Sequence, residues 1–498
     1  MRTKFDFKRL MVSLLAVLML LSVTAAFAGC SNGDENGSSA TEAGAGNGGT
    51  ETDAETKNTP YANMEKTKYN RDFVILNRSD LKSDFEGISD DGAASILSEL
   101  LVDRNTVVAE DFGINFVYLY EDDYTAVNEK VGSQALNTLD EYDIAIGHKY
   151  SFNTCALNNY LKDLSAIESL HLEDKWWDQG CRKNLAINGK TYLMTGDILP
   201  SSMLISACMV FNKRILKELG KQEPYGLVRD GKWTLDEFNA MTKDVTADTD
   251  GDGTLTYDKD RFGLASWMMD VPFTLYYGAG GMFGAIDENG GLTLEYETVD
   301  VVNRYEKIYN ALIEQQAYFV TDLAKYETSY ECFATGHALF YDTSLNKIRN
   351  FLSDMSDDYG IVPTPKYDTH QQEYLSFVNG ATGFVMIINS ESNPEYVGSI
   401  LEAMARYNYE NVSTNMFEIV TKLQSVRDQD SSEMVEYIIR NRVYDFAYFL
   451  DLDIANVVLK QLQAGQKEIS SPLKQAGRSS VRKLGKILQD MEKNQKSA

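Results

Sequence analysis

NRDFVILNR (70–78), SILSELLVDRNTVVAEDFGINFVYLY (95–120) and EYDIAIGHKY (141–150) are the segments on which the fold turns. Phe73 to Leu76 is a short apolar run, the mark of a strand. Ile96, Leu97, Leu100, Leu101, Val107 and Val108 recur at helical spacing, and Ile114 to Tyr120 is again strand-like. A helical pattern over Ala126 to Leu139 and a strand over Tyr142 to Ile146 complete a β-α-β-α-β series. That series predicts an open α/β sheet, which places ligands at the carboxyl ends of its strands. The residues just past two of those ends are Asn77 and Arg78, and then Gly147, His148, Lys149 and Tyr150. Asn188 and Gly189, between Asn184 to Ile187 and Thr191 to Met194, give a short-hairpin signal.

Toward the N-terminus, Arg2, Lys4, Lys8 and Arg9 precede an uncharged run from Leu10 to Gly29, the charge and apolar regions of an export signal. The run ends Ala26-Phe27-Ala28-Gly29-Cys30, which resembles a bacterial lipobox, with Cys30 as the lipidated first residue of the mature chain. A retained membrane helix is the alternative for so long a run. Ser31 to about Thr59 is almost wholly Ser, Gly, Ala, Thr, Asn, Asp and Glu, too poor in apolar surface to fold, and reads as a tether. The expected location is the extracellular face of the membrane of a Gram-positive-type bacterium, held by lipid alone.

The whole chain has 498 residues, enough for two domains, with 47 basic against 74 acidic residues and a net charge of −27. Its summed field repels a phosphate backbone or an anionic bilayer, so nucleic acid is excluded as a partner. Four scattered histidines, His148, His171, His337 and His370, give little material for a multi-histidine metal centre. Cys155, Cys181, Cys208 and Cys332 admit three pairings or none.

Several segments in order resemble the extracellular solute-binding proteins (family 1) of bacterial ABC importers, specifically clostridial-type lipoproteins. They are Arg104-Asn105 with Glu110, Lys175-Trp176-Trp177-Asp178, Gly189-Lys190-Thr191-Tyr192, Val210-Phe211-Asn212-Lys213 with Leu219-Gly220, and Pro224-Tyr225. Val228 with Asp230 to Asp236, Arg261-Phe262-Gly263-Leu264 and Arg442-Val443-Tyr444-Asp445 follow. The resemblance implies a type II periplasmic-binding-protein-like α/β fold, with two lobes joined by three crossovers and closing on a ligand cleft by hinge motion. Crossovers near Cys208 to Phe211, Thr382 to Val385 and Arg440 to Asp445 assign 61–209 plus 386–440 to lobe 1 and 210–385 plus 441–498 to lobe 2. The implied partners are a small solute, a carbohydrate, and the permease subunits, with the protein a monomer.

Asp248, Asp250 and Asp252 alternate, Gly253 follows, and the Thr254 carbonyl falls where a calcium loop draws its seventh-position ligand. Lys259 occupies the twelfth position, so Asp260 is the expected closing ligand of a structural calcium ion. Sugars present apolar faces framed by hydroxyls, and a sugar cleft pairs aromatic platforms with polar side chains. Trp267, past the strand-like Gly263 to Ala265, is the expected platform, and Trp176 and Trp177 are expected to be packing residues. Tyr341 and Asp342 follow the apolar run Ala338 to Phe340; Asp197 precedes the first crossover, and Tyr444 with Asp445 lies at the third. The expected ligand-binding set is therefore Arg78, Tyr150, Asp197, Trp267, Tyr341, Asp342 and Tyr444.

Enzyme signatures fail. Gly189-Lys190-Thr191 lacks the earlier glycine of a phosphate-binding loop, since Asn184 stands there. Neither H-E-x-x-H nor G-x-S-x-G occurs, and Phe283 replaces the third glycine of a dinucleotide motif. The expectation is a non-enzymatic receptor delivering an oligosaccharide to an ABC permease. A surface-attached glycan-processing enzyme is the second reading and an adhesin or sensor partner the third; the enzyme is told apart by turnover, and the adhesin or sensor by the absence of a closing cleft.

Overall fold

The alternation of strands and helices sorts into two separate mixed sheets, each with its own helical layers. The computed structural model describes residues 61–87, 96–352, 355–415 and 429–497; the expected leader, Cys30 and the tether lie outside them. In chain order the strands are β1 (Arg71–Arg78), β2 (Ile114–Glu121), β3 (Ile144–Gly147), β4 (Ala207–Asn212), β5 (Phe262–Trp267), β6 (Gly284–Ile286) and β7 (Leu292–Leu294). They continue as β8 (Tyr318–Val320), β9 (Ala338–Ser344), β10 (Tyr359–Val362), β11 (Ser376–Phe377), β12 (Phe384–Met386) and β13 (Arg442–Val443).

The first sheet has the order β12-β3-β1-β2, with β1 parallel to both β2 and β3 and with β12 antiparallel at the edge. Helix Ile96–Phe112 makes the crossover from β1 to β2 and buries Leu101, Val108 and Phe112. Helix Tyr124–Asn137 makes the next crossover; Asp123 starts it by accepting from the Thr125 and Ala126 amides at 2.7 and 3.0 Å. Helix Pro394–Asn411 packs on helix Ile96–Phe112 and completes this lobe.

The second sheet has the order β10-β4-β9-β5-β8, with β5 parallel to β8 and β9 and with β4 antiparallel to both its neighbours. Trp233, fully buried, meets Phe238 edge-on at 6.0 Å and Phe340 at 5.7 Å beside this sheet. β11 and β13 pair in parallel, and β6 with β7 forms a small hairpin. The architecture is thus the expected pair of α/β lobes.

The details part from expectation in three places. Cys208 to Phe211 lie inside β4, so the chain enters the second sheet before Ala207, and it returns to the first through residues 378–383 ahead of β12. Helix Gln429–Arg440 goes with the second sheet, not with lobe 1 as the boundaries 386–440 placed it. Ser431 Oγ accepts from the Ile361 amide of β10 at 3.1 Å and meets Tyr225 Oη at 2.9 Å, and Arg229 pairs with Glu433 at 2.8 Å. At Asn188-Gly189 both residues have positive φ, as the turn requires, but only Ile187 and Lys190 pair across it. Asn184 closes helix Gln179–Asn184 instead of beginning a strand.

Beyond β13 the chain packs over the linking segment. Tyr448 meets Phe273 and Phe377 edge-on at 5.2 Å each, and its hydroxyl accepts from the Gly380 amide at 3.0 Å. The final helix, Ser470–Ser497, buries Leu473, Leu484 and Met491. Gly477 lets it approach Tyr296, since a Cβ there would come within 2.1 Å of the ring.

Candidate functional site

The carboxyl ends of the parallel strands in both sheets converge on the two linking segments. In the first sheet these ends are Arg78 of β1 and Gly147 of β3; in the second they are Trp267 of β5 and Ser344 of β9. Ser206 bridges to Val378, and the Lys149 amide donates to the Gly380 carbonyl at 3.3 Å, so the links run between the two sets of strand ends.

On the first-lobe side, Arg78 holds Asp80 through two bonds of 2.9 and 2.7 Å, and its Nη1 is buried without a partner. Burial works against ionisation of Asp80, but Arg78 outweighs it and holds the carboxyl below its ordinary range. His148 begins the short helix Lys149–Ser151, its Nδ1 accepting from the Tyr150 amide at 3.3 Å. Burial, with Arg78 and Lys149 nearby, pushes the imidazole down to about 4, so at neutral pH it is an uncharged ring. It stacks on Tyr124 at 4.4 Å and on Tyr150 at 5.4 Å, and Tyr150 stays 38 % exposed, which makes the trio an accessible aromatic surface.

On the second-lobe side, Trp267 meets Tyr326 edge-on at 5.0 Å, and Lys347 Nζ sits 5.6 Å from its ring centre. The indole Nε1 is buried with no hydrogen-bond partner. Lys347 pairs with Asp270 at 2.7 Å. Burial, reinforced by the Asp270 charge, pushes the Asp342 carboxyl up to about 8; Ser266 donates to its Oδ2 at 3.1 Å and Oδ1 has no partner. Asp270, Thr274, Asp342 and Ser344 line a small cavity together with Phe377 and Asn379 of the second link. This region therefore carries aromatic surfaces, an ion pair, a neutral carboxylic acid and buried hydrogen-bonding atoms without protein partners.

Of the expected ligand set, Arg78, Tyr150, Trp267 and Asp342 gather here. Tyr341 does not: β9 runs on to Ser344, so Tyr341 lies within the strand, and its buried ring stacks on Phe333 at 5.9 Å. Asp197 is drawn into the first lobe because its amide donates to the Trp176 carbonyl at 2.9 Å and its carboxylate accepts from Ser413 Oγ. Burial raises that carboxyl to about 6, against the opposing effects of Ser413 and Arg442. Tyr444 is fully buried and donates to Asp178 Oδ2 at 3.0 Å, so its place is structural. Asp445 gathers the Phe283 and Gly284 amides at 2.9 and 3.0 Å and anchors the β6–β7 hairpin. Trp176 and Trp177 are buried, and Trp177 Nε1 donates to Glu402 at 2.9 Å. All four described cysteines are buried free thiols.

Tyr124, Asp80, Asp270, Lys347 and Tyr326 were not expected. Tyr124 lies just past the carboxyl end of β2, where the rule that singled out Arg78 and Tyr150 would have found it. Larger grooves of about 530 and 560 Å³ lie beside helix Leu235–Thr242. Their amides are largely satisfied by one another, Asn239 Oδ1 accepting from Asn310 at 3.0 Å and Gln315 at 2.8 Å.

In the acidic loop, carboxylate oxygens of Asp248, Asp250 and Asp260 lie within 4.8 Å of one another. Asp248 accepts from the Gly251 and Gly253 amides at 2.7 and 2.8 Å, and both glycines have positive φ, as so tight a turn demands. Buried Asp260 accepts from the Thr249 and Thr256 amides at 2.8 and 2.7 Å, which hold its carboxyl below the ordinary range. Asp252 does not join the group; it accepts from the Thr254 amide at 2.8 Å and lies 3.9 Å from Lys259 Nζ. Lys259 also lies 3.4 Å from Asp250. Three converging carboxylates are a hard oxygen set that fits a cation such as calcium.

No protein-family model matches the chain, and no curated protein does. Solved structures do. A cyclo/maltodextrin-binding protein complexed with maltotetraose is 12% identical at a TM-score of 0.54, covering 84% of this chain and 97% of its own. An ABC substrate-binding protein from Listeria monocytogenes in complex with cycloalternan is 12% identical at 0.52, with coverages of 83% and 99%. The apo form of RafE from Streptococcus pneumoniae is 15% identical at 0.52, with coverages of 84% and 98%. At such identities the likeness is one of fold, and the fold of this chain is that of the two-lobed ABC substrate-binding proteins.

Proposed function

We propose that the chain is a non-enzymatic extracellular solute-binding lipoprotein, anchored through Cys30, that captures an oligosaccharide between its lobes and delivers it to an ABC permease. The observation that carries this reading is the cluster at the strand ends. Tyr150 and Trp267 offer ring faces for the apolar side of a sugar, while Trp267 Nε1, Asp342 Oδ1 and Arg78 Nη1 are hydrogen-bonding atoms without protein partners. The fold supports it, because maltotetraose and cycloalternan are the ligands of two proteins that share it.

A thermal-shift screen of oligosaccharides, beginning with those two, should find a ligand that raises the melting temperature. For that ligand, Trp267→Ala should weaken binding by about 2 kcal/mol, roughly thirtyfold, in calorimetry while the protein stays folded. Equal affinities would remove Trp267 from the site. A sugar recovered chemically altered would replace the receptor with an enzyme.

We also propose that Asp248, Asp250 and Asp260 hold a structural calcium ion, with Asp252 and the Thr254 carbonyl turning toward it. The ion would neutralise the converging carboxylates and so fix the loop between helix Leu235–Thr242 and β5. A chelator is expected to lower the melting temperature and calcium to restore it. An identical melting curve under both conditions would remove the ion.

A further inference from the structure

The chain carries a net charge of −27, yet its last helix, Ser470–Ser497, has seven Lys or Arg residues against Asp490 and Glu492. Between 470 and 489 there is no acidic residue. Lys474, Arg478, Arg482 and Lys486 recur every fourth residue, which puts them on one face over about 18 Å. All four are exposed, and none forms a salt bridge among the described residues. The helix cannot roll to hide them. Its other side is fixed by Leu473, Leu484 and Met491, by Gly477 against Tyr296, and by Ser480 Oγ, which accepts from the Ile454 amide at 2.9 Å. Like charges four residues apart weaken a helix. The acidic residue that continues this register, Asp490, comes one turn past Lys486 and lies 3.3 Å from Lys493 Nζ, so the repulsion among the four is retained where an external anion would cancel it.

We propose that this stripe is a docking surface for an anionic phospholipid bilayer. The choice of a bilayer rests on the anchor proposed at Cys30. A lipid on Cys30 would tether the compact unit that begins at Asn58 to the bilayer and so raise the effective concentration of headgroups around it. The acidity of the remaining chain does not forbid contact, because charges beyond about 8 Å from the surface are screened at physiological ionic strength. The contact is electrostatic and not insertive: Val481 is the one exposed large apolar side chain on the described part of this helix. Docking through one rigid helix would also fix the attitude of the lobes toward the membrane.

The test uses residues 31–498, which contain the whole compact unit from Asn58 to Ala498 and carry no lipid. They are mixed with vesicles of phosphatidylcholine alone and with vesicles also containing phosphatidylglycerol. Sedimentation with the phosphatidylglycerol vesicles only is expected. The combined variant Lys474→Gln, Arg478→Gln, Arg482→Gln, Lys486→Gln should lose at least about tenfold in apparent affinity. Raised salt should do the same to the unsubstituted chain. The variant should melt no lower than the parent, since it removes only exposed repulsion. No binding, equal binding to both vesicles, or unchanged affinity in the variant would each overturn the proposal. Binding to soluble polyphosphate or to an acidic protein without vesicle binding would overturn it too. The anchor is read separately: a Cys30→Ser protein that remains with membranes after signal removal defeats the anchor and leaves the vesicle result standing.

Discussion

Asp178→Ala is expected to destabilise the protein by about 3–5 kcal/mol, because it strands a buried charge. Arg442 lies 2.7 Å from Asp178 Oδ2, with the two side chains only 7% and 5% exposed. Burial works to discharge the guanidinium, but Asp178 outweighs it and keeps it cationic. The same carboxylate accepts from the Cys181 amide at 2.9 Å, starting helix Gln179–Asn184, and from Tyr444 Oη at 3.0 Å. The alanine therefore removes a cap and a hydroxyl partner and leaves Arg442 unpaired beside Asp197. Urea denaturation of both proteins measures the loss. The double variant Asp178→Asn, Arg442→Met should recover much of it, because a buried pair replaced by neutral groups of similar size costs little. A single variant within about 0.5 kcal/mol of the parent would show that the pair contributes nothing to the fold.

Asp342→Asn is expected to act in the opposite direction, stabilising the protein at neutral and alkaline pH. The Asp342 carboxyl is pushed up to about 8 by burial and by Asp270, from an ordinary value of 3.8. Between those two values the unfolded chain has lost the proton and the folded chain keeps it, so stability falls as pH rises through this window. Above about 8 the whole penalty is present, on the order of 6 kcal/mol if this group acted alone. Asparagine cannot ionise, so the advantage of the variant over the parent should be near zero at pH 4 and grow up to pH 8. Denaturation midpoints of the two proteins across that range measure it. Parallel curves would mean that Asp342 is ionised in the folded protein and that its site is wetter than its burial implies. The variant keeps an oxygen and a donor at the cleft, so it separates the charge of Asp342 from its hydrogen bonding.

Local patterns carried the first lobe. Strand periodicity at Phe73 to Leu76, the helical spacing after Ile96 and the run at Ile114 set β1, the crossover helix and β2 to within a few residues, because period and side-chain type act over a single element. The same logic placed Arg78, Tyr150 and Trp267, each of which follows directly from where a strand stops. The turn at Asn188-Gly189 and the convergence of Asp248, Asp250 and Asp260 were likewise written in neighbouring residues.

What failed depended on residues far apart in the chain. Tyr444 and Asp197 read as cleft residues because they sit beside crossovers, yet Asp178, Trp176 and Ser413 draw them inward. Tyr341 read as the end of a strand that β4, pairing Cys208 with Thr343 and Ala207 with Ser344, extends to Ser344. Helix Gln429–Arg440 has an amphipathic pattern that suits either lobe, and only Ser431 and Glu433, meeting Ile361, Tyr225 and Arg229, assign it to the second. By itself the sequence determined the strands and crossover helices of the first lobe and most of the residues that stand at strand ends; the export and tether chemistry of the first sixty residues is its expectation. The tertiary structure decided which of those residues stay at the strand ends and which are drawn into the core, because burial and pairing are set by partners that no local period encodes.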